Sequence, residues 1–314
     1  MKVAFVGKGG SGKTTCASLF ALRAAAAGAP VLALDADINQ NLAVALGASE
    51  EDAAGLPTLP GHLGLIKEWL RGDNPRIPSA DQMIKTTPPG RGSRLLRVVE
   101  DNPVYDAAVR EVVPCVRLGL AGAFDEADLG VACFHAKTGA VELLLGHLVD
   151  GPGEYVVVDM TAGADAFASG LFTRFDLTFL VCEPTLRSVG VYRQYAGYAR
   201  DFGVRLAVVG NKVADDADAA FLRDEVGDDL LGLLGRSAHV RAGDRGAPRD
   251  VAGLEEANAT VLDDLRAAVD AVPKDWERYQ ADAVAMHLRN ARAWAGSALA
   301  EQIDPDFVPA PVPL

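Results

Sequence analysis

The sequence lacks any apolar stretch that approaches the ~20 residues a helix needs to cross a bilayer. Its first apolar run, in MKVAFVGKGG, breaks at once into glycines and a lysine and is too short for a signal-peptide core. Cysteine is also scarce, and its scattered positions (Cys16, Cys115, Cys133 and Cys182) are typical of reduced thiols rather than of a disulfide framework. We therefore expect a cytoplasmic protein without a membrane partner.

The sequence also contains fewer basic than acidic residues. Lysine and arginine total 30 against 43 acidic residues, a formal net charge of −13. Because non-specific nucleic-acid binding depends on clustered Lys and Arg, this balance disfavours nucleic acid as a partner. The 314 residues, 49% of them apolar, can bury a large core, which excludes a disordered or fibrous chain.

Apolar runs and helical segments alternate along the chain. The run 2–6 ends in glycines and precedes an Ala- and Leu-rich segment, 13–27, that predicts a helix ended by Gly28. Further continuous apolar runs, typical of strands covered on both faces, occupy residues 31–34, 155–158, 177–181 and 206–209. The order predicts an α/β fold with a doubly wound, mostly parallel sheet.

A phosphate-binding motif follows the first strand. The segment from Gly7 to Thr14 matches G-x-x-x-x-G-K-[ST] between a strand and a helix, which predicts a P-loop that binds ATP and Mg²⁺. Lys13 should reach the β- and γ-phosphates, Thr14 should ligate Mg²⁺ and Thr15 should bond the α-phosphate. The predicted nucleotide-binding residues of the loop are Gly9, Gly10, Ser11, Gly12, Lys13, Thr14 and Thr15.

Lys8 distinguishes this loop from an ordinary P-loop. The form K-G-G-x-G-K-T-T resembles the deviant Walker A motif of the MinD/ParA-type ATPases. In that family the additional lysine crosses a dimer interface to the partner's nucleotide. The resemblance therefore implies a homodimer that closes around two ATP molecules, with Lys8 and Lys13 as catalytic cations.

Three further stretches match the same family. The second strand ends LALDAD, and by resemblance Asp35 helps to hold the water shell of Mg²⁺ while Asp37 positions or activates the attacking water. The alternative is that one of these aspartates caps the next helix. VVVDMTAG resembles the D-x-x-A-G Walker B and switch II element, which implies that Asp159 binds Mg²⁺ through water and that the backbone at Gly163 approaches the γ-phosphate.

Asn211 and Lys212 end a later strand, as the adenine-recognition motif of the family does. An Asn side chain has both the donor and the acceptor needed to read the N6/N7 edge of adenine. Asn-Lys pairs are also common in loops, so this match depends on its position after the strand.

Longer stretches of the sequence resemble one branch of the family, the nickel-insertion ATPases that mature carbon monoxide dehydrogenase. GKGGSGKTT, DADINQNLAVALG and VVVDMTAGAD are similar to the same stretches in that branch. The branch carries a Cys-x-Cys metal motif where this chain has Cys133-Phe134-His135. One such pair from each subunit would complete a four-coordinate Zn²⁺ or Ni²⁺ site at the dimer interface. The alternative is a buried thiol beside a solvated histidine.

These matches, which extend to about residue 270, predict a P-loop NTPase fold, and the apolar stripe beyond them predicts an added C-terminal helix. Residues 1–272 form the ATPase domain, 273–303 a helix packed on the core, and 304–314 a disordered Pro-rich tail. The helix carries an apolar stripe and lacks the basic face of a membrane anchor. The residues of that stripe are Trp276, Tyr279, Ala283, Ala291, Trp294 and Ala298.

The leading functional hypothesis is a dimeric nucleotide switch in metalloenzyme maturation. Its client would be carbon monoxide dehydrogenase or a similar enzyme, to which it delivers nickel or another metal. One alternative is a positioning or partition ATPase, which needs a basic patch or a membrane-seeking terminal helix. Another is a reductase like the nitrogenase iron protein, which needs a second thiolate beside Cys133.

Overall fold

A computed structural model of the chain describes residues 1–123, 134–295 and 297–310. The strands are β1 (Lys2–Gly7), β2 (Val31–Ala36), β3 (Leu96–Arg97), β4 (Val109–Val113), β5 (Val116–Leu120), β6 (Leu148–Val149), β7 (Tyr155–Met160), β8 (Leu177–Cys182), β9 (Leu206–Val213) and β10 (Leu230–Gly235). The helices are α1 (Lys13–Ala26), α2 (Leu42–Ala45), α3 (Glu50–Ala54), α4 (Leu63–Arg71), α5 (Pro103–Ala108), α6 (Phe134–Gly146), α7 (Leu186–Asp201), α8 (Asp216–Val226), α9 (Ala238–Gly243), α10 (Glu256–Asp270) and α11 (Trp276–Asn290).

The main sheet has the order β10-β9-β8-β1-β7-β2-β5-β4. All neighbours are parallel except β4, which pairs with β5 in the antiparallel sense. This confirms the predicted doubly wound, mostly parallel α/β fold. Because β1 lies between β7 and β8, the loops that leave the carboxyl ends of these strands converge on the loop after Gly7.

Alternate residues of each central strand face different helical layers. Val3 and Phe5 belong to the core shared with Phe20 of α1 and Leu262 of α10. Ala4 and Val6 belong to the core on the other face, which includes side chains of α6 and α7. Both faces of the sheet are therefore covered, which is why these strands are apolar at consecutive positions.

The C-terminal segment differs from the single helix and disordered tail predicted from the sequence. α11 ends at Asn290 and is followed by a π-turn (Ala291–Ala295) and a 3₁₀ segment (Ser297–Gln302). Asp304 is buried, and it accepts a hydrogen bond from the Arg91 backbone N–H at 3.1 Å, so the described part of the tail lies against the domain. Within the described ranges, no helix is both long and apolar enough to cross a membrane.

Candidate nucleotide site

The loop between β1 and α1 contains a tight turn. Gly10 and Gly12 have φ of 81° and 96°, in the region that favours glycine, and the Ser11 N–H donates to the Lys8 carbonyl at 3.0 Å. A Cβ on Gly12 would lie 2.2 Å from Asn211 Nδ2, so a larger residue would displace that side chain. The loop thus has the compact form in which backbone N–H groups surround a phosphate.

Lys13 and Asp37 meet at the end of β2. Lys13 Nζ lies 3.3 Å from Asp37 Oδ2, and both side chains are buried. Asp37 Oδ1 accepts hydrogen bonds from the backbone and side-chain nitrogens of Asn39, each at 2.9 Å. The structure therefore brings two of the predicted catalytic residues into contact and fixes the carboxylate between two partners.

Thr14 and Asp159 form a second pair across the loop. Thr14 Oγ1 donates to Asp159 Oδ2 at 2.5 Å, while Asp159 Oδ1 is buried and has no hydrogen-bond partner among the described residues. Burial raises the pKa of Asp159 to about 7, and the Thr14 hydrogen bond and the charge of Lys13 offset this only in part. A cation would offset the cost of burying this carboxylate.

These donors fit Mg²⁺, which prefers hard oxygen ligands and is usually held by one or two carboxylates together with substrate phosphates. No group of three or more His, Cys, Asp or Glu in the described part of the chain is arranged as a metal cage. Thr14 and Asp159 would hold Mg²⁺ only together with phosphate and water.

The Asp35 carboxylate accepts hydrogen bonds from backbone N–H groups. Its carboxylate accepts from the Leu42 N–H at 2.8 Å and from the Asp37 N–H at 3.1 Å. Burial and the nearby charge of Asp159 raise the pKa of Asp35 well above its usual range. Leu42 is the first residue of α2, so Asp35 accepts the first N–H of this helix, although the N-cap position itself is Asn41. The Mg²⁺ role of Asp35 stays a prediction.

Asn211 and Lys212 both reach the P-loop. Asn211 Nδ2 donates to the Ser11 carbonyl at 2.8 Å, so one of its two N–H donors is used within the protein. Lys212, at φ 61°, donates from Nζ to the Gly10 carbonyl at 2.6 Å. The structure assigns them a supporting contact that the sequence did not indicate, and adenine reading by Asn211 stays a prediction.

Glu183 is a site residue that the sequence analysis missed. It follows β8, and its carboxylate lies 2.8 Å from Lys212 Nζ and 4.0 Å from Lys8 Nζ. Lys8 itself is partly exposed. Only its position could have indicated Glu183 as a site residue. Because β8 is parallel to β1 and pairs with it, residues after the carboxyl end of β8 lie beside the P-loop.

Gln40 is a second missed residue. It adopts φ 48°, donates from Nε2 to the Asp37 carbonyl and accepts from the Gly122 N–H at 3.1 Å. It thereby ties the segment after Asp37 to the loop after β5. After β7, Gly163 at φ 68° begins a 3₁₀ turn, and a Cβ added at this position would have no heavy atom within 4 Å among the residues compared.

A cavity of about 380 Å³ continues from the P-loop past Asn211. It is within the size range of small-molecule sites and can take the base and ribose of a nucleotide. Its walls include Thr15, Asn211, Lys212, Leu234, Ser237 and Arg241.

The predicted transition-metal pair lies elsewhere in the chain. Cys133 and the side chain of His135 are outside the described residues. The Zn²⁺ or Ni²⁺ site therefore stays a prediction.

Solved structures share this fold. A ParA family ATPase from Chlorobium tepidum superposes with a TM-score of 0.59 at 15% identity, covering 83% of this chain and 97% of that one. The septum site-determining protein MinD of Pyrococcus horikoshii, complexed with Mg-ADP, gives 0.56 at 18% identity, covering 86% and 97%. At these identities the likeness concerns the fold alone.

Two proteins share higher sequence identity with this chain than these solved structures do. The carbon monoxide dehydrogenase accessory protein CooC of Rhodospirillum rubrum is 31% identical over 247 residues, 78% of this chain and 87% of that protein. An uncharacterized ATP-binding protein of Methanocaldococcus jannaschii is 29% identical over 242 residues, 74% of this chain and 84% of that protein. The family model for the CobQ/CobB/MinD/ParA nucleotide binding domain matches residues 3–249. With its P-loop, its paired Lys13 and Asp37 and its parallel sheet, the chain belongs to the CobQ/CobB/MinD/ParA nucleotide-binding family and is an ATPase.

Proposed function

We propose that this ATPase is a dimeric nucleotide switch in metalloenzyme maturation, delivering nickel or another metal to a client enzyme. The observation that carries the proposal is the 31% identity to the carbon monoxide dehydrogenase accessory protein across 78% of this chain. The ParA and MinD structures support the fold only, and the net charge of −13 disfavours the DNA partner of a partition ATPase.

The chemical step of this proposal uses the residues at the ends of β1 and β2. Water attacks the γ-phosphorus of ATP, the bond to the β–γ bridging oxygen breaks, and ADP and phosphate leave. Asp37, held by Asn39, orients the water, and Lys13 stabilises charge on the phosphate oxygens. Thr14 and Asp159 would hold Mg²⁺, which would offset negative charge on the β- and γ-phosphates.

Lys8 supplies the link between hydrolysis and the dimer. Its side chain is 35% exposed, and among the described residues Nζ contacts the Glu183 carboxylate at 4.0 Å and the neighbouring Gly9 carbonyl at 3.1 Å. An ion pair this long and this exposed contributes little, so Lys8 can leave Glu183 at small cost. In a closed homodimer Lys8 would reach the nucleotide of the partner subunit.

Two lysine variants test the switch. Lys13→Ala should abolish turnover and weaken nucleotide binding, whereas Lys8→Ala should bind nucleotide but neither dimerise with ATP nor hydrolyse it. Phosphate release and light scattering measure these properties, with Lys67→Ala, which replaces a lysine of α4, as the matched control. A Lys8→Ala protein that dimerises with ATP and turns over at the parent rate would contradict the switch.

The metal role needs a separate test. We expect about one Zn²⁺ or Ni²⁺ per dimer, held by Cys133 and His135 and coupled to nucleotide state. Metal content and dimer fraction are measured for the parent, Cys133→Ser and His135→Ala, under reducing conditions with and without ATP. If the parent carries no stoichiometric metal, or both variants retain it, this site is wrong while the ATP switch can still stand.

A further inference from the structure

A second cavity, of about 390 Å³, lies apart from the nucleotide site. It is an open cleft between α7, α11 and two 3₁₀ turns (Gly163–Phe167 and Gly170–Arg174). Its lining residues differ from those of the P-loop cavity, and none of them is assigned a role in ATP hydrolysis.

The cavity has aromatic walls. The Phe167 ring lies 4.7 Å from Phe172 and 5.2 Å from Tyr198, and Phe172 lies 5.0 Å from Phe202, as distances between ring centroids. Tyr198 lies in the last turn of α7, and Phe202 directly follows that helix. These two residues are 40% and 38% exposed. Adjacent exposed aromatic side chains around a concave surface are typical of a binding site.

The mouth of the cavity is cationic in a protein of net charge −13. The Arg289 guanidinium lies 5.9 Å from the centroid of the Phe202 ring, and it forms no ion pair with a carboxylate among the described residues. Lys85 also lines the cavity, but Glu142 lies 3.7 Å from its Nζ and partly neutralises it. Arg289 is therefore the cation that remains available to a ligand.

We propose that this cavity binds a small aromatic organic anion, such as an aromatic carboxylate, sulfonate or phosphate. The aromatic body would pack between Tyr198, Phe202 and Met286, where ring stacking and apolar burial stabilise it. The anionic group would pair with Arg289 at the mouth. Because Phe167 belongs to the segment that leaves Gly163, the ligand contacts the same segment that is predicted to approach the γ-phosphate.

The probe for this site is 8-anilinonaphthalene-1-sulfonate, an aromatic anion whose fluorescence rises in apolar surroundings. It is titrated into the full chain in the presence of saturating Mg-ADP, so that the P-loop cavity is filled. We expect one bound probe per chain and at least about tenfold weaker binding in Arg289→Glu and in Tyr198→Ala, a change of about 1.4 kcal/mol. Arg289→Lys keeps the charge and should retain most of the affinity.

Two variants on α7 are matched controls outside the cavity. Arg200→Glu reverses a charge on the same helix, and Leu186→Ala removes an apolar side chain that is 70% exposed. Both should bind the probe as the parent does. N-phenyl-1-naphthylamine, which has the same rings without the sulfonate, should bind at least about tenfold more weakly than the sulfonate.

The proposal is overturned by equal losses in the cavity and control variants, by unchanged binding in Arg289→Glu, or by equal affinity for the neutral probe. Arg289 is exposed, so its replacement tests the site even where Tyr198→Ala fails to fold.

Discussion

At the residue scale, the site depends on pairs of side chains that restrain each other. Asp37 is held by Asn39 and faces Lys13 at 3.3 Å, and Thr14 faces Asp159 at 2.5 Å. The sequence motifs predicted Lys13, Thr14, Asp37 and Asp159 as site residues, but the motifs do not give the pairing. In this arrangement each carboxylate is oriented by a hydrogen bond from a neighbouring side chain, and such orientation lowers the reorganisation that the reaction requires.

The first prediction concerns Asp37. Asp37→Asn keeps an acceptor for Asn39 and removes a negative charge beside the phosphates, so the fold and ATP binding should persist. Hydrolysis should slow by about 10²-fold or more because the group that orients water is lost. The variant should accumulate as an ATP-bound dimer in light scattering, whereas Asp106→Asn, an exposed change, should behave as the parent. A parent-like hydrolysis rate would remove Asp37 from the chemical step.

At the element scale, buried charge connects the C-terminal segment to the start of β1. Asp150 lies 2.7 Å from the N-terminal ammonium, 3.5 Å from Lys2 Nζ and 2.7 Å from Lys274 Nζ. Lys2 is fully buried, 3.9 Å from the centroid of the Tyr279 ring on α11. Burial alone would raise the pKa of Asp150, but these three cations outweigh it and hold the pKa far below its usual range.

Asp150→Asn should therefore destabilise the fold by about 3–5 kcal/mol, because it leaves buried Lys2 without its counter-charge. Urea denaturation measures the free energy of unfolding, with Asp106→Asn as the exposed control. The double variant Lys2→Met/Asp150→Asn should recover part of the loss, since neither charge then remains buried alone. A single variant as stable as the parent would mean that water solvates Lys2.

A buried histidine directly after α6, His147, makes the free energy of unfolding dependent on pH. His147 is fully buried, with Nδ1 3.1 Å from the Leu143 carbonyl, and burial lowers its pKa from 6.5 to about 4. Below pH 6.5 the unfolded chain takes up a proton that the folded histidine does not accept until about pH 4. Stability should thus fall as pH drops from 6.5 to 4, by up to about 3 kcal/mol from this group.

His147→Leu should remove that contribution and flatten the pH dependence across this interval. The comparison is the unfolding free energy of parent and variant at pH 8, 6, 5 and 4. Parallel curves for the two proteins would show that His147 does not set the slope.

At the scale of the whole molecule, net charge separates the proposed maturation role from DNA partition. A chain of charge −13 repels a phosphate backbone, so the ATP-bound Asp37→Asn protein should not shift a non-specific DNA duplex in a gel at 0.15 M salt. Because ATP-bound dimers are the form tested, the result does not depend on the hydrolysis rate. A salt-sensitive shift would instead favour a partition ATPase.

The sequence by itself determined the sheet and the phosphate loop. Strands covered on both faces must be apolar at consecutive positions, and the P-loop is a continuous segment whose glycines and Lys13 act within a few residues of one another. Each of these two patterns lies within a short segment, so it can be recognised in the sequence without knowledge of the tertiary structure. Asp37 follows β2 and Asp159 lies near the end of β7, strands that are recognisable from their own residues, and the catalytic and Mg²⁺ roles of these two aspartates stay predictions.

Only the tertiary structure decided the contacts between distant segments. Glu183 lies beside Lys8 and Lys212, and Asn211 donates to the Ser11 carbonyl 200 residues away. The aromatic cavity brings α7 and α11 together with the turns after Gly163. Such contacts depend on strand order and on the packing of helices across the sheet, because the free energy of folding is shared among many long-range contacts that no single segment specifies. The start of the tail shows the same dependence: its Pro-rich composition predicts disorder, whereas Asp304 accepts a hydrogen bond from the backbone N–H of Arg91, a residue far earlier in the chain.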